Sequence, residues 1–206
     1  MEEIPPLVAS AQALARQLGF PLTREEAEPG RASASLPDTG RFLAMLAAGC
    51  GADQTGGGRI GELGTGAGIG ASWIASAMPA DCVLITAERD ERLAVAARQL
   101  FAGDPRIEVI AGDALEAMSS RAPFDLVFAD SGIRDGTDFA KLVGLLRLGG
   151  RIVMDDVTPQ RILPPDSPLR SQDTKRELFG GEPRLVSTEV VLPDLRNSLL
   201  VGTRMR

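Results

Sequence analysis

Apolar and polar positions in this chain follow two rhythms, one after the other. From Leu7 to Leu18 the apolar residues Leu7, Ala11, Leu14 and Leu18 recur at helical spacing until Gly19 and Pro21 stop the pattern, which predicts an amphipathic helix. Glu25 to Glu28 reads as a second short helical piece ended by Pro29-Gly30. Pro37 to Ala48 reads as a third helix, with Phe42, Leu43 and Leu46 on one face. Ala52 to Gly58 is a polar, glycine-rich connection. Beyond it, short apolar runs alternate with helical ones. Strands are expected from Arg59 and at Cys82–Ala87, Arg106–Ile110, Phe124–Ala129 and Arg151–Met154. Helices are expected between them at Ser72–Met78, Glu91–Phe101, Leu115–Ser119 and Asp138–Leu148, the last closed by Gly149-Gly150. This alternation predicts an α/β, doubly wound, mostly parallel sheet with right-handed crossovers. Thr158 to Ser167 carries three of the 14 prolines and should be a loop over the carboxyl edge of that sheet. Arg170–Phe179 follows as a polar helix. Leu185–Leu192 and Ser198–Arg204 are β-rich and separated by only a few residues, so they should form an antiparallel hairpin, bringing the sheet to seven strands. The whole is read as a single domain, with residues 1–50 as its helical cap.

Composition narrows the chemistry. With 206 residues, 44% apolar and 24% charged, the chain can bury a sizeable core. Its 22 basic residues against 28 acidic give a net charge of -6, which does not suit a nucleic-acid backbone as partner. There is no histidine, and Cys50 and Cys82 are the only cysteines, so a zinc site of the usual kind lacks ligands. Both are read as buried thiols in a reducing compartment. No secretory leader or membrane span is visible, and a cytoplasmic protein is expected. The expected partners are a small-molecule acceptor and, at most, a second copy in a homodimer; no nucleic acid and no membrane.

Candidate chemistry begins at the glycine-rich turn that ends the first strand. Glycines there permit positive φ and let helix-start N–H groups approach a polar or anionic ligand. Glu88 ends the second strand about 20 residues later, where doubly wound folds hold a ribose diol. It can equally be a helix-start charge favoured by the macrodipole of the next helix. Asp113, after the third strand, can accept from an exocyclic amine such as adenine's or cap a helix, and both can hold together. The fourth strand finishes in Asp130 and the fifth in Asp155-Asp156. Such folds bind ligands outside the carboxyl ends of their strands, where the three aspartates would meet. Carboxylates converging in one crevice call for a cation, and hard oxygen ligands suit magnesium, calcium or manganese. They can also be loop and cap acids that never converge.

Taken together these residues resemble a class I S-adenosylmethionine-dependent methyltransferase with the Rossmann-like fold, and within it the catechol and caffeoyl-CoA O-methyltransferase group, from about Leu36 onward. Glu62-Leu63-Gly64-Thr65-Gly66-Ala67-Gly68 resembles that family's acidic-glycine loop at the methionine part of the cofactor. Glu88, followed by Arg89, corresponds to the ribose acid, and Gly112-Asp113-Ala114 to the stretch beside adenine. Phe124 to Asp130 resembles the fourth strand with its metal aspartate, and Gly149 to Asp156 the fifth, where the group carries Asp-Asn. The resemblance therefore implies S-adenosylmethionine, a divalent cation (magnesium first) on Asp130, Asp155 and Asp156, and a catechol-like acceptor. Three departures stand out. Position 156 is Asp rather than Asn, Gly70 lies where a hydroxyl residue often helps hold the cofactor carboxylate, and the catechol branch's lysine is Ile133 here. That leaves no inherited base. Arg134 stays protonated, Lys141 should point away within its helix, and Lys175 lies beyond the proline-rich loop. The metal is accordingly expected to do most of the acidification, with Asp130 and Asp156 as the catalytic pair and Asp156 taking the proton directly or through water.

Two alternatives remain open at this stage. Gly66 to Ala71 also fits the loose G-x-G-x-x-G/A pattern of an NAD-dependent oxidoreductase, although the chain has no Tyr and no His to handle the proton. The other is a cofactor-binding homologue without catalysis.

Overall fold

The computed structural model of the chain describes residues 3–23, 25–26, 33–51, 57–131, 133–170, 173–193 and 196–206. Its centre is β4 (Phe124–Ala129), buried at every position. A strand buried on both faces must be apolar throughout, and its one polar residue shows what an exception requires. Asp125 accepts from Arg147 Nε at 2.6 Å and from the Arg59 amide at 2.7 Å, so its charge is paired where it is buried.

On one side of β4 lie β1 (Arg59–Leu63), β2 (Val83–Glu88) and β3 (Ile107–Ala111), all parallel. On the other lies β5 (Leu146–Val157), then the antiparallel pair β7 (Ser198–Arg204) and β6 (Leu185–Val191). The order is β3-β2-β1-β4-β5-β7-β6, so the expected seven-stranded sheet with its C-terminal hairpin is present. The crossover helices are α3 (Ile69–Ala77), α4 (Glu91–Phe101), α5 (Ala114–Ser119) and α6 (Gly136–Leu145), preceded by α1 (Pro6–Leu18) and α2 (Pro37–Ala48) and followed by α7 (Thr174–Gly181). Among the described residues no helix is long and apolar enough to cross a membrane.

Several boundaries move for physical reasons. The buried face of α1 centres on Val8, Ala11 and Ala15, one step round from the expected stripe, because small residues let the helix close on Trp73 and Ile69. α3 starts at Ile69, directly on the glycine turn, rather than at Ser72. α6 starts at Gly136 because Asp135 caps it, accepting from the Thr137 and Asp138 amides. It ends at Leu145, so Gly149-Gly150 do not close a helix. They sit in an irregular stretch of β5, where Leu146 pairs with Phe124 and Arg151 with Leu126. A Cβ at Gly150 would lie 2.7 Å from the Phe124 carbonyl, so only glycine lets the two strands close again past the irregularity. The polar helix expected from Arg170 begins at Thr174, capped by Asp173. Glu25 and Glu26 lie in a turn, and the rest of the short helix expected there falls outside the described residues, as does most of the Ala52–Gly58 connection.

Candidate functional site

Parallel strands leave their carboxyl ends at one edge of the sheet, and β1, β2 and β4 end there side by side in Leu63, Glu88 and Ala129. The chain leaves β1 through Gly64 at φ +95°, and a Cβ there would lie 2.5 Å from Ser131 Oγ. Glycine is therefore required twice over, for the backbone angle and for the approach of the turn to the end of β4. The Gly64 and Thr65 amides donate to the Ala87 carbonyl, and the Gly66 amide donates to Glu88 Oε2 at 2.8 Å. Glu88 thus braces the glycine turn from β2, while its Oε1 accepts from the Asp90 amide at 2.9 Å. Asp90, not Glu88, caps α4, accepting from the Arg92 and Leu93 amides.

Glu62 is a carboxyl in the middle of the sheet, only 1% exposed. Its Oε2 accepts from the Thr86 hydroxyl at 2.6 Å, which lies 2.6 Å from the Thr65 hydroxyl. With the Thr86 proton committed to Glu62, Thr65 donates to Thr86. Burial pushes Glu62 up to about 8, against the pull of the Thr86 hydrogen bond. Gly70 leaves the room that this side chain fills, since a Cβ there would stand 2.3 Å from Glu62 Oε1 and 3.4 Å from Ser35 Oγ. The hydroxyl at this corner is therefore that of Ser35, from the segment ahead of α2. Ser72 is turned away, donating to the Gly68 carbonyl at 2.6 Å.

Two cavities flank Glu88. One, of about 160 Å³, is walled by Glu62, Gly64, Thr65, Gly66, Gly70, Glu88 and Asp130, with Phe20 and Ser33 to Ser35 on its N-terminal side. The other, of about 360 Å³, is walled by Glu88, Arg89, Gly112, Ala114, Ile133 and Arg134. Glu88 and Ser131 border both. Gly68 and Asp113, expected beside the ligand, stand behind these walls. Gly68 caps α3 against Leu100 and Phe101. Asp113 caps α5, accepting from the Glu116 amide at 3.1 Å, and lies 3.6 Å from Arg89 in an exposed ion pair.

The edge continues into an acidic crevice. Burial pushes Asp130 up to about 8, with Asp155 and Asp156 adding to the rise and Lys175 opposing it. Asp155 is 4% exposed; its Oδ1 accepts from Asn197 Nδ2 at 2.9 Å and from the Asp156 amide at 2.7 Å. Asp156 is exposed and has φ +60°, in the left-handed region that Asp tolerates better than most residues. Lys175 of α7 donates from Nζ to the Asp155 carbonyl at 2.6 Å.

A family model described as O-methyltransferase matches residues 23–177, more than half of the chain. The chain belongs to the O-methyltransferase family. A curated protein of Mycobacterium tuberculosis named as a probable O-methyltransferase is 38% identical over 138 residues, 64% of this chain and 59% of the relative. A relative from Mycobacterium avium under the same family name is 36% identical over 156 residues, 72% of this chain and 68% of that one. The chain thus spans less than two thirds of the first relative's length. The O-methyltransferase TomG of Streptomyces achromogenes, solved with S-adenosylmethionine, superposes with TM-score 0.71 at 24% identity over 99% of this chain and 92% of its own. The O-methyltransferase of Bacillus cereus, solved with S-adenosylhomocysteine, gives TM-score 0.72 at 22% identity over 99% and 93%. Both share the Rossmann-like methyltransferase fold, which this family member adopts. The dinucleotide reading of its glycine turn gains no support.

The structure brings together Glu62, Gly64, Thr65, Gly66, Glu88, Arg89, Gly112, Ala114 and Asp130 around adjoining cavities. It does not arrange Asp130, Asp155 and Asp156 as a ligand set. Among the described residues no three His, Cys, Asp or Glu side chains are grouped as a metal ion requires. Asp155 is engaged by Asn197, and an ammonium group already stands at the crevice. As arranged, these residues do not fit a divalent cation. Lys175, which lies beyond the proline-rich loop and is expected near the site only if that loop folds inward, is at the crevice because α7 returns to the end of β5. The loop itself walls neither cavity. Lys141 is exposed on α6, as expected. Phe20, Ser33, Ser35, Ser131 and Asn197 carry no sequence signal of their own; only their approach from other elements marks them.

Proposed function

We propose that this chain is a cytoplasmic S-adenosylmethionine-dependent O-methyltransferase acting on a small hydroxylated, catechol-like acceptor. The observation that carries the reading is the pair of cavities meeting at Glu88. The smaller is lined by a buried acid and the glycine turn, suited to the charged amino-acid half of the cofactor, and the larger suits its adenosine half. Glu88 stands between them with two carboxylate oxygens, the pairing a ribose diol asks for. Glu62 would face the cofactor's ammonium, Ser35 and the turn amides its carboxylate, and Gly112 and Ala114 with Arg89 the adenine. When bound, S-adenosylmethionine supplies an electrophilic methyl group. The two buried free thiols, Cys50 and Cys82, agree with a reducing compartment.

For the acceptor, the acidic crevice beside Asp130 is the adjoining polar surface. Asp156, the carboxylate of the trio that faces solvent, is the proposed proton acceptor from the hydroxyl, and Asp130 the residue that orients it. No step is assigned to a divalent cation, given the arrangement of the crevice. Calorimetric titration with S-adenosylhomocysteine tests the cofactor half of the reading, and mass spectrometry of catechol incubated with S-adenosylmethionine tests the acceptor half. Micromolar binding and a product heavier by one methylene are expected. Absence of any cofactor binding would end the reading.

A further inference from the structure

Asp130 lines the cavity proposed for the cofactor, and the charges of Asp155 and Asp156, near the end of β5, are felt at it. Like charges crowded in this way need a counter-charge, and the structure contains one within the chain. Lys175 comes from α7, outside the motifs of the sheet, and reaches the Asp155 carbonyl with its ammonium at 2.6 Å. It is half-buried, and its charge is felt at Asp130.

Its position is built. The next residue, Arg176, is held by Asp173 and by Glu189 Oε1 at 2.9 Å, and donates to the Thr158 carbonyl at 2.7 Å. Asp173 caps the same helix, and Glu189 also accepts from the Ser198 hydroxyl at 2.6 Å. α7 is thereby tied to the segment leaving β5 and to the edge pair β6–β7, which fixes where Lys175 emerges. Asn197 donates to Asp155 Oδ1, so this buried carboxylate is already hydrogen-bonded. Lysine is scarce in this chain, with only Lys141 and Lys175, and Lys141 is exposed on α6.

We infer that the Lys175 ammonium is the resident cation of the acidic crevice, standing in for a divalent metal and keeping one from being held there. An ammonium held on the Asp155 carbonyl, with its charge felt at Asp130, repels a dication while offsetting the mutual repulsion of the carboxylates. The inference deepens the methyltransferase reading and rests on it for its meaning, since the crevice adjoins the proposed transfer site. Its test does not depend on turnover.

The experiment is a titration of the full chain with Mn²⁺, followed by electron paramagnetic resonance, for wild type and Lys175→Met. The wild type should show no stoichiometric site at submillimolar Mn²⁺. The variant should gain one, with affinity at least about tenfold higher once the ammonium is gone. A wild-type site of micromolar affinity overturns the inference, and so does a variant that binds no better than wild type. Lys175→Arg, which keeps the charge, should remain as poor a binder as wild type; a gain of Mn²⁺ there would also overturn it. S-adenosylhomocysteine titration and far-UV circular dichroism on the same samples separate this outcome from the parent reading. If Lys175→Met does not fold, Lys175→Gln takes its place. Loss of cofactor binding in a folded wild type would strike the methyltransferase reading and leave the Mn²⁺ result to decide the cation.

Discussion

Glu62 and Glu88 sit on neighbouring strands and face the same cavity, but their surroundings assign them different work. Glu62 is buried, so its carboxyl is held up to about 8 from an ordinary 4.5. A raised folded-state pKa means that the native protein keeps a proton the unfolded chain gives up. The associated stability is complete below about pH 4.5 and is lost as pH rises through 8. Thermal melts between pH 5 and pH 8.5 should therefore show the melting temperature falling. Glu62→Gln, which keeps the shape without the titration, should make that fall shallower. It should not abolish it, because Asp130 is raised to about 8 in the same direction. A ligand ammonium at Glu62 would stabilise the carboxylate, so S-adenosylhomocysteine binding near pH 7 should release close to one proton. Calorimetry in two buffers of different ionisation enthalpy reads this directly, and no buffer dependence would remove Glu62 from the ammonium site. Glu88 bridges the glycine turn and the start of α4. Glu88→Ala should weaken S-adenosylhomocysteine by about tenfold to a hundredfold, the range for charge-assisted hydrogen bonds. An unchanged dissociation constant would take Glu88 out of the site.

At the scale of elements, the site depends on how the cap helices seat on α3, which starts directly on the glycine turn. Trp73 of α3 lies against Gly40 of α2, and a Cβ at position 40 would come within 2.2 Å of the indole. Arg41 stacks over the same ring at 5.7 Å. Gly40→Ala should force the two helices apart and cost about 1–3 kcal/mol, read as a lower midpoint in urea unfolding. Ser35 lies only a few residues before Gly40, so cofactor affinity should fall with it. Glycine spacing and strand-end acids are legible in the sequence because they are local requirements of a turn and of a strand leaving the sheet. Which helix face is buried was legible only approximately. On α1 the expected leucines proved less central than Ala11 and Ala15, since close approach to α3 favours small residues over large ones.

For the whole molecule, ligand binding and folding are one equilibrium. Glu62, Glu88 and Asp130 come from three strands, and Ser35 and Phe20 from the cap, so the cavity exists only in the folded chain. S-adenosylhomocysteine at a hundred times its dissociation constant should add about 2.7 kcal/mol to the unfolding free energy. For a chain of this size that corresponds to a rise of roughly 5–10 °C in melting temperature. Differential scanning fluorimetry measures it, and at the same ligand concentration the rise should shrink in Glu88→Ala with the logarithm of the lost affinity.

The sequence alone determined the alternation of strand and helix, the seven-stranded mixed sheet with its terminal hairpin, and the meeting of the glycine turn with the strand-end acids at the ends of β1, β2 and β4. Each follows from periodicity or from the backbone demands of a few residues, and those are written in adjacent positions. Tertiary structure alone decided the character of the acidic crevice. Asp130, Asp155 and Asp156 read as a metal-binding trio until the partners of Asp155 are known. Those partners, Lys175 on α7 and Asn197 before β7, are separated from Asp155 by 20 and 42 positions. No spacing rule connects residues so far apart. Only the return of the last helix and strand to the end of β5 sets an ammonium and an amide among the carboxylates, and with them the local charge that decides what the crevice can hold.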